Sequence, residues 1–222
     1  MSEQSDPRQE VGASNRNPRR RRPDRRSDAS LGFDRMNSSA GGPETFSIVF
    51  VCTANRFRSP LAAAVLTREL QGLPVRVDSR GTLDVGAMPP LTQALEAARL
   101  LGVDVSRHRA QQLRGNDLAD TGLVIGFEAR HLEAALEAGA PADVTFGLDE
   151  AVDLFQKLDR RPARKNYVSS LKHTVAVADR LRDPHVPLVE IQDPVGRPPE
   201  EAAAIARHIH GLSVKLARRL SP

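Results

Sequence analysis

From Thr45 onward, short apolar runs alternate with stretches of helical period, and that alternation leaves few folds open. Thr45 to Cys52, with an apolar run from Phe46 to Val51, reads as a buried strand. A helix follows from Ser59 to Gln71 with Leu61, Val65, Leu66 and Leu70 on one side, Ser59 as its cap and Pro60 as its first position. Further strands are expected at Val75–Ser79, Leu123–Phe127 and Ala142–Phe146. Helices are expected at Leu91–Leu101, stopped by Gly102, and at Ala129–Ala138. The last helix, Pro199 to Leu220, repeats Ile205, Ile209, Leu212, Leu216 and Leu220 along one buried stripe. Strands separated by helices predict an α/β fold: an open, mostly parallel four-stranded sheet with helices on both faces.

Ahead of this pattern, residues 1–43 show no hydrophobic period, and Arg19 to Arg26 reads Arg-Arg-Arg-Arg-Pro-Asp-Arg-Arg. Such a segment buries too little apolar surface to offset its ordering entropy, so 1–43 is expected to be a disordered, Arg-rich N-terminal tail. The domain is then 44–222. Within it, 154–187 is expected to be an insertion: a basic, Pro-broken linker at Asp159–Lys165, then a helix over Val168–Leu181. The default for it is an inert insertion, with a lid or an oligomer contact as alternatives. A basic tail without interleaved aromatics makes a thin case for nucleic acid, so no nucleic-acid partner is expected and only weak anionic contacts stay open. Aromatic residues make up 4% of the chain and there is no Trp, so Ala, Leu, Val and Ile must build the core. The single Cys fits a reducing cytoplasm, and no apolar run is long enough to span a bilayer; a cytoplasmic location is expected.

That cysteine lies in Val51-Cys52-Thr53-Ala54-Asn55-Arg56-Phe57-Arg58-Ser59-Pro60, between the first strand and the first helix. A thiol attacks only as thiolate, which a helix N-terminus, converging backbone N–H groups and a guanidinium all favour. A loop curling from Thr53 to Phe57 can aim successive N–H groups at one centre and form an anion nest. Arg58 brings a planar fork suited to two oxygens of a phosphate, and Ser59 can hydrogen-bond the sulfur. Asn55 suits a left-handed backbone position. Taken alone, Cys52 could also be a buried cysteine at a strand end.

Val51, Cys52, Asn55, Arg58, Ser59 and Pro60 carry a resemblance to the low-molecular-weight protein tyrosine phosphatase family, whose signature is valine-cysteine, five residues, then arginine-serine. Ala54 stands where glycine is usual, Arg56 where a small or aliphatic residue is usual, and Phe57 where a second cysteine is common. Val77-Asp78-Ser79-Arg80-Gly81-Thr82 and Arg107-His108-Arg109-Ala110 resemble further family landmarks. The resemblance implies that Ser79 and His108 brace Asn55 and Ser59.

A thiolate attacking phosphorus needs the departing oxygen protonated, a task for a positioned carboxylic acid. The family uses an aspartate followed by proline just before the last helix, and both Asp183-Pro184 and Asp193-Pro194 are candidates here. Val189-Glu190-Ile191 looks strand-like and leads into Asp193, with the striped helix after it, so Asp193 is the expected acid. The resemblance then implies a cysteine-dependent phosphatase in which Cys52, Arg58 and Asp193 are catalytic. Thr53, Ala54, Asn55, Arg56, Phe57 and Ser59 form its phosphate-binding loop, and a phosphocysteine is its intermediate.

Its partner is a phosphorylated protein, with phosphotyrosine preferred, or a small phosphomonoester. No cofactor and no metal are expected: His208 and His210 stand two apart on a helix and diverge. Phosphotyrosine is in tension with the walls, because Val195-Gly196 after Asp193-Pro194 and the Leu83–Gly86 loop lack aromatics. Phe57 and Arg56 each have two readings, packing inward or facing the substrate for the first, solvated or lining the mouth for the second. Arsenate reduction through an external thiol and a non-catalytic phosphoprotein-binding module are the alternative functions.

Overall fold

The computed structural model describes residues 44–222, so the expectation for the tail, 1–43, lies outside the described residues. The first strand, β1 (Phe46–Cys52), alternates its side chains between two cores. Phe46, Ile48, Phe50 and Cys52 face the larger core, while Val49 and Val51 face a smaller one with Leu113, Leu118 and Val124. A strand buried on both faces is a central strand of a parallel sheet.

β1 pairs in parallel with β2 (Val75–Gly81) on one side and with β3 (Leu123–Gly126) on the other, and β4 (Thr145–Gly147) joins β3. The order is β2-β1-β3-β4, all parallel. The larger core is closed by α1 (Arg58–Glu69), α2 (Thr92–Leu100), α4 (Leu148–Gln156), α5 (Tyr167–Arg180) and α6 (Pro199–Leu220). The opposite face is covered by α3 (Ala129–Glu137), through Ala135 and the following Ala138. The α6 stripe buries Ile209, Leu212, Leu216 and Leu220, with acidic Glu200 and Glu201 in its first turn and Arg218 and Arg219 in its last, matching the helix dipole. Among the described residues, no helix is long and apolar enough to cross a membrane.

Several boundaries differ from the sequence expectations for physical reasons. α1 starts at Arg58 with Phe57 at the cap, so Ser59 lies inside the first turn and spends its hydroxyl elsewhere. Residues 142–144 form a 3₁₀ turn, and the fourth strand is confined to Thr145–Gly147. α4 then begins immediately at Leu148, where the Glu150 carboxylate accepts from the Gly147 N–H. Val189–Ile191 is not a strand; its one ladder-like bond runs from Ile191 N to Phe127 O at 2.8 Å. The helix expected at Val168–Leu181 is α5, and it is buried through Tyr167, Val168, Leu171, Val175 and Ala178.

Because β1 lies between β2 and β3, the chain leaves the sheet in opposite directions on its two sides. That reversal opens a crevice at the carboxyl ends of the strands, where such sheets bind ligands. Loop 53–57, the segment after β2 and Phe127–Glu128 after β3 all meet there.

Candidate active site

Loop 53–57 is the first thing the crevice presents. Among the described residues, none of the backbone N–H groups of Thr53 to Phe57 finds a protein acceptor. Five unpaired amides ahead of a helix N-terminus form a cradle for an anion. Asn55 takes φ +54°, the left-handed position that its residue type tolerates. Ala54 keeps a negative φ, so glycine is not required there.

Gly81 explains how closely β2 approaches. A Cβ at this position would lie 3.0 Å from the Ala54 carbonyl carbon and from Asn55 N and Cβ. The register sets Gly81 beside Cys52, and Thr82 N donates to Cys52 O at 2.9 Å.

The buried Asn55 side chain fixes the loop. Its Nδ2 donates to Ser79 Oγ at 2.8 Å and Ser59 Oγ at 2.9 Å, and its Oδ1 accepts from Gln111 N at 2.9 Å. His108 Nε2 donates to the Asn55 carbonyl at 2.8 Å, and burial lowers the His108 pKa against that bond. Ser59 Oγ, already accepting from Asn55, lies 2.9 Å from Cys52 Sγ, and either atom can donate in that contact. Cys52 itself is buried.

Arg58 is 98% hidden and its two terminal nitrogens are shared among four groups. Nη1 donates to Glu128 Oε1 and to Ile191 O at 3.0 Å. Nη2 donates to Thr53 Oγ1 at 3.1 Å and to Asp193 Oδ2 at 2.7 Å. The guanidinium also stands 5.9 Å from the Phe127 ring centroid. Asp193 thus reaches the cup through Arg58, whereas Asp183 closes its own turn against His185 N and faces the α4–α5 side.

The late loop is tethered at three points. Glu190 Oε1 accepts from Ala129 N at the start of α3, Ile191 bonds to both Phe127 and Arg58, and Arg197 Nε donates to Asp193 O at 2.9 Å.

Phe57 packs inward, 3% exposed, so it offers no wall to a substrate. Arg56 reaches along the loop after β2, its Nε donating to Pro89 O at 2.7 Å. Leu83 and Val195, near the mouth, are aliphatic and more than half exposed.

Two further residues at the cup carry no local signature. Glu128 follows β3 directly and bonds both Arg58 and Arg130. Burial pushes its carboxyl up, but those bonds and the Arg58 charge outweigh it and hold it below the usual glutamate value. His131, fully buried, sets Nε2 3.0 Å from Thr53 Oγ1. Burial, and then the Arg58 charge, push its pKa down to about 4, so the ring is neutral near pH 7. Gly126 makes room for this corner: a Cβ there would lie 2.5 Å from Leu132 Cδ2 and 3.2 Å from His131 Cβ. A glutamate just past the carboxyl end of a central strand was the one available clue to Glu128.

A doubly wound parallel sheet with a cysteine, an amide cradle and a buried arginine at its switch point defines the class of cysteine-based phosphatases. The model of the family described as low molecular weight phosphotyrosine protein phosphatase matches residues 47–165, more than half of the chain. The chain belongs to that family of hydrolases.

A probable low molecular weight protein-tyrosine-phosphatase, EpsP, of Ralstonia solanacearum is 40% identical over 93 residues, covering 38% of this chain and 63% of that protein. Its counterpart in Ralstonia nicotianae is 31% identical over 144 residues, covering 64% of this chain and 95% of the relative. The solved structure of the arginine phosphatase YwlE from Geobacillus stearothermophilus superposes with a TM-score of 0.58 at 25% identity, covering 79% of this chain and 92% of that one.

Proposed function

We propose that the chain hydrolyses phosphomonoesters on proteins, phosphotyrosine first among them, through a phosphocysteine on Cys52. Cys52 sulfur attacks phosphorus in line as the ester P–O bond breaks, and Asp193 gives its proton to the departing oxygen. A water then attacks the phosphorus, Asp193 taking its proton, as the S–P bond breaks; this returns the thiolate and releases inorganic phosphate. The loop N–H groups and Arg58 hold the three equatorial oxygens through both displacements. Ser59, donating to the sulfur, eases its departure in the second.

The observation that carries this reading is the 2.7 Å bond from Arg58 Nη2 to Asp193 Oδ2. It joins the late carboxylate to the arginine that follows the cradle, and so supports Asp193 as the proton donor. An arriving phosphate dianion competes with Asp193 for the same nitrogen, so binding frees the carboxylate at the place where a proton donor is needed. The test is hydrolysis of p-nitrophenyl phosphate. Cys52→Ser is expected to abolish turnover, and Asp193→Ala to lower kcat by roughly 100- to 10,000-fold while phosphate still binds. Turnover that survives Cys52→Ser would overturn the assignment.

Phosphoarginine is the second reading. It is favoured by the aliphatic mouth at Leu83 and Val195, which offers no ring to stack on a phenyl group. The ratio of kcat/KM for phosphotyrosine and phosphoarginine peptides decides between them.

A further inference from the structure

We propose that Thr53 contacts the bound phosphoryl group through its side-chain hydroxyl as well as its backbone N–H, and that the buried His131 ring directs that hydroxyl. The proposal rests on the phosphatase reading above and adds one donor and one positioning residue to it.

The observations are two bonds to one oxygen, one unpartnered ring nitrogen and one acceptor out of reach. His131 Nε2 is 3.0 Å from Thr53 Oγ1, and Arg58 Nη2 is 3.1 Å from the same oxygen. His131 Nδ1 is buried and has no hydrogen-bond partner among the described residues. Glu128 Oε1, the other acceptor close by, is 3.9 Å from Nε2.

A neutral imidazole has one N–H and one bare nitrogen. If the proton sat on Nδ1, a buried N–H would be orphaned, which native structures rarely tolerate. With the proton on Nε2, the buried vacancy is only a lone pair, and the ring donates to Thr53. Thr53 Oγ1 then accepts from His131 and from Arg58 together, and its own hydrogen has nowhere else committed to go. The neutrality of the ring fits this, since a protonated ring would carry the orphan N–H next to the Arg58 charge.

The position of that hydrogen gives it a role. Nη2 of Arg58 holds Thr53 Oγ1 with one hydrogen and Asp193 Oδ2 with the other. A phosphoryl oxygen that replaces Asp193 at Nη2 therefore arrives beside the Thr53 hydroxyl. Thr53 is only half-buried, so it is not sealed off from a ligand. A bond from a hydroxyl to a charged oxygen is among the stronger hydrogen bonds.

The test reads the inhibition constant of inorganic phosphate against p-nitrophenyl phosphate hydrolysis. Thr53→Val keeps the shape and removes the hydroxyl, and is expected to raise that constant roughly 10- to 100-fold. Thr53→Ser is expected to recover most of the affinity. His131→Leu is expected to weaken phosphate binding as Thr53→Val does, and His131→Gln, with an amide N–H close to the Nε2 position, to recover part. Because both substitutions cut one chain of bonds, the double variant is expected to be no weaker than the worse single.

Phosphate affinity unchanged in Thr53→Val overturns the proposal, as do losses that multiply in the double variant. If His131→Leu does not fold, the Thr53→Val and Thr53→Ser pair still decides. A wild-type protein that neither binds phosphate nor hydrolyses the ester would instead remove the phosphatase reading.

Discussion

Gly81 and Asn55 approach so closely that a methyl group on the glycine would stand 3.0 Å from the Asn55 Cβ. The contact joins the end of β2 to the one residue whose side chain ties Ser59, Ser79 and the 111 segment together. Backbone surrounds the position on both sides, with Gly81 N donating to Gln111 O and Leu113 N donating to Gly81 O. Neither neighbour can swing away as a flexible side chain would.

Gly81→Ala is therefore expected to push the phosphate loop as a unit. Overpacking of this kind costs about 1–3 kcal/mol, and a shift of half an ångström in the cradle disturbs every amide in it. The expected outcome is a lowered Tm with kcat/KM for p-nitrophenyl phosphate reduced by at least about tenfold. Wild-type kinetics in the alanine variant would show that the loop is not seated on β2.

Glu128 holds the Arg58 nitrogen that Asp193 does not. Truncating one member of a buried ion pair leaves the other charge uncompensated, at a cost of about 3–5 kcal/mol when burial is complete. Here Asp193 still pairs Arg58 and Glu128 is 15% exposed, so Glu128→Ala is expected to cost about 2 kcal/mol. The guanidinium then keeps Ile191, Thr53 and Asp193 but loses one of its four anchors, and kcat/KM is expected to fall further than it does in Glu128→Gln, which keeps an acceptor. Calorimetry beside steady-state kinetics on the two variants checks both effects.

What the sequence made legible about this site follows from distance along the chain. Cys52 to Pro60 could be read because strand, loop and helix are contiguous and each residue type has a local reason. Asp193 could be singled out as the expected acid because a helix with an unmistakable stripe begins six residues later, at Pro199. Glu128 and His131 meet the loop from 70 and 78 residues away, through the pairing of Val51 with Gly126, and no local pattern encodes that register. Nothing local announces α4, which starts directly after a three-residue strand, with a glycine as cap and no turn between them. Val189–Ile191 has the composition of a strand, yet among the described residues Phe127 is the only backbone it pairs with, and Glu190 is used to cap α3. Composition there reports burial of Ile191, not a ladder.

α5 tests whether the 154–187 stretch serves the chemistry or the core. Leu171 is fully buried in the larger core, and Tyr167 donates to Leu220 O at 2.7 Å, joining α5 to the end of α6. Leu171→Ala is expected to cost about 2–5 kcal/mol with kcat unchanged at a temperature where the variant is folded. Tyr167→Phe is expected to cost about 1 kcal/mol. A large drop in kcat for Leu171→Ala, in folded protein, would instead make α5 part of the catalytic apparatus.

Acid is expected to weaken the fold through the same corner that orders the cup. His131 has its pKa pushed down to about 4 in the folded protein, against an ordinary value of 6.5. Between those values the unfolded chain binds a proton there that the folded chain refuses, so stability falls as pH falls through that window and levels off below it. Complete expression of the shift corresponds to about 3 kcal/mol. Glu128, held below its usual value by Arg58 and Arg130, adds a loss in the same direction but lower down, as pH drops beneath the ordinary glutamate range. Urea unfolding at intervals from pH 7.5 to 3.5 is expected to show a first decline centred between 6.5 and 4. In His131→Gln that decline shrinks by the His131 share, leaving what His108 and His210, both lowered by burial, contribute, while the lower decline from Glu128 persists. Identical pH profiles for the two proteins would mean that the His131 ring takes up its proton in place, and that the cup tolerates a second positive charge beside Arg58.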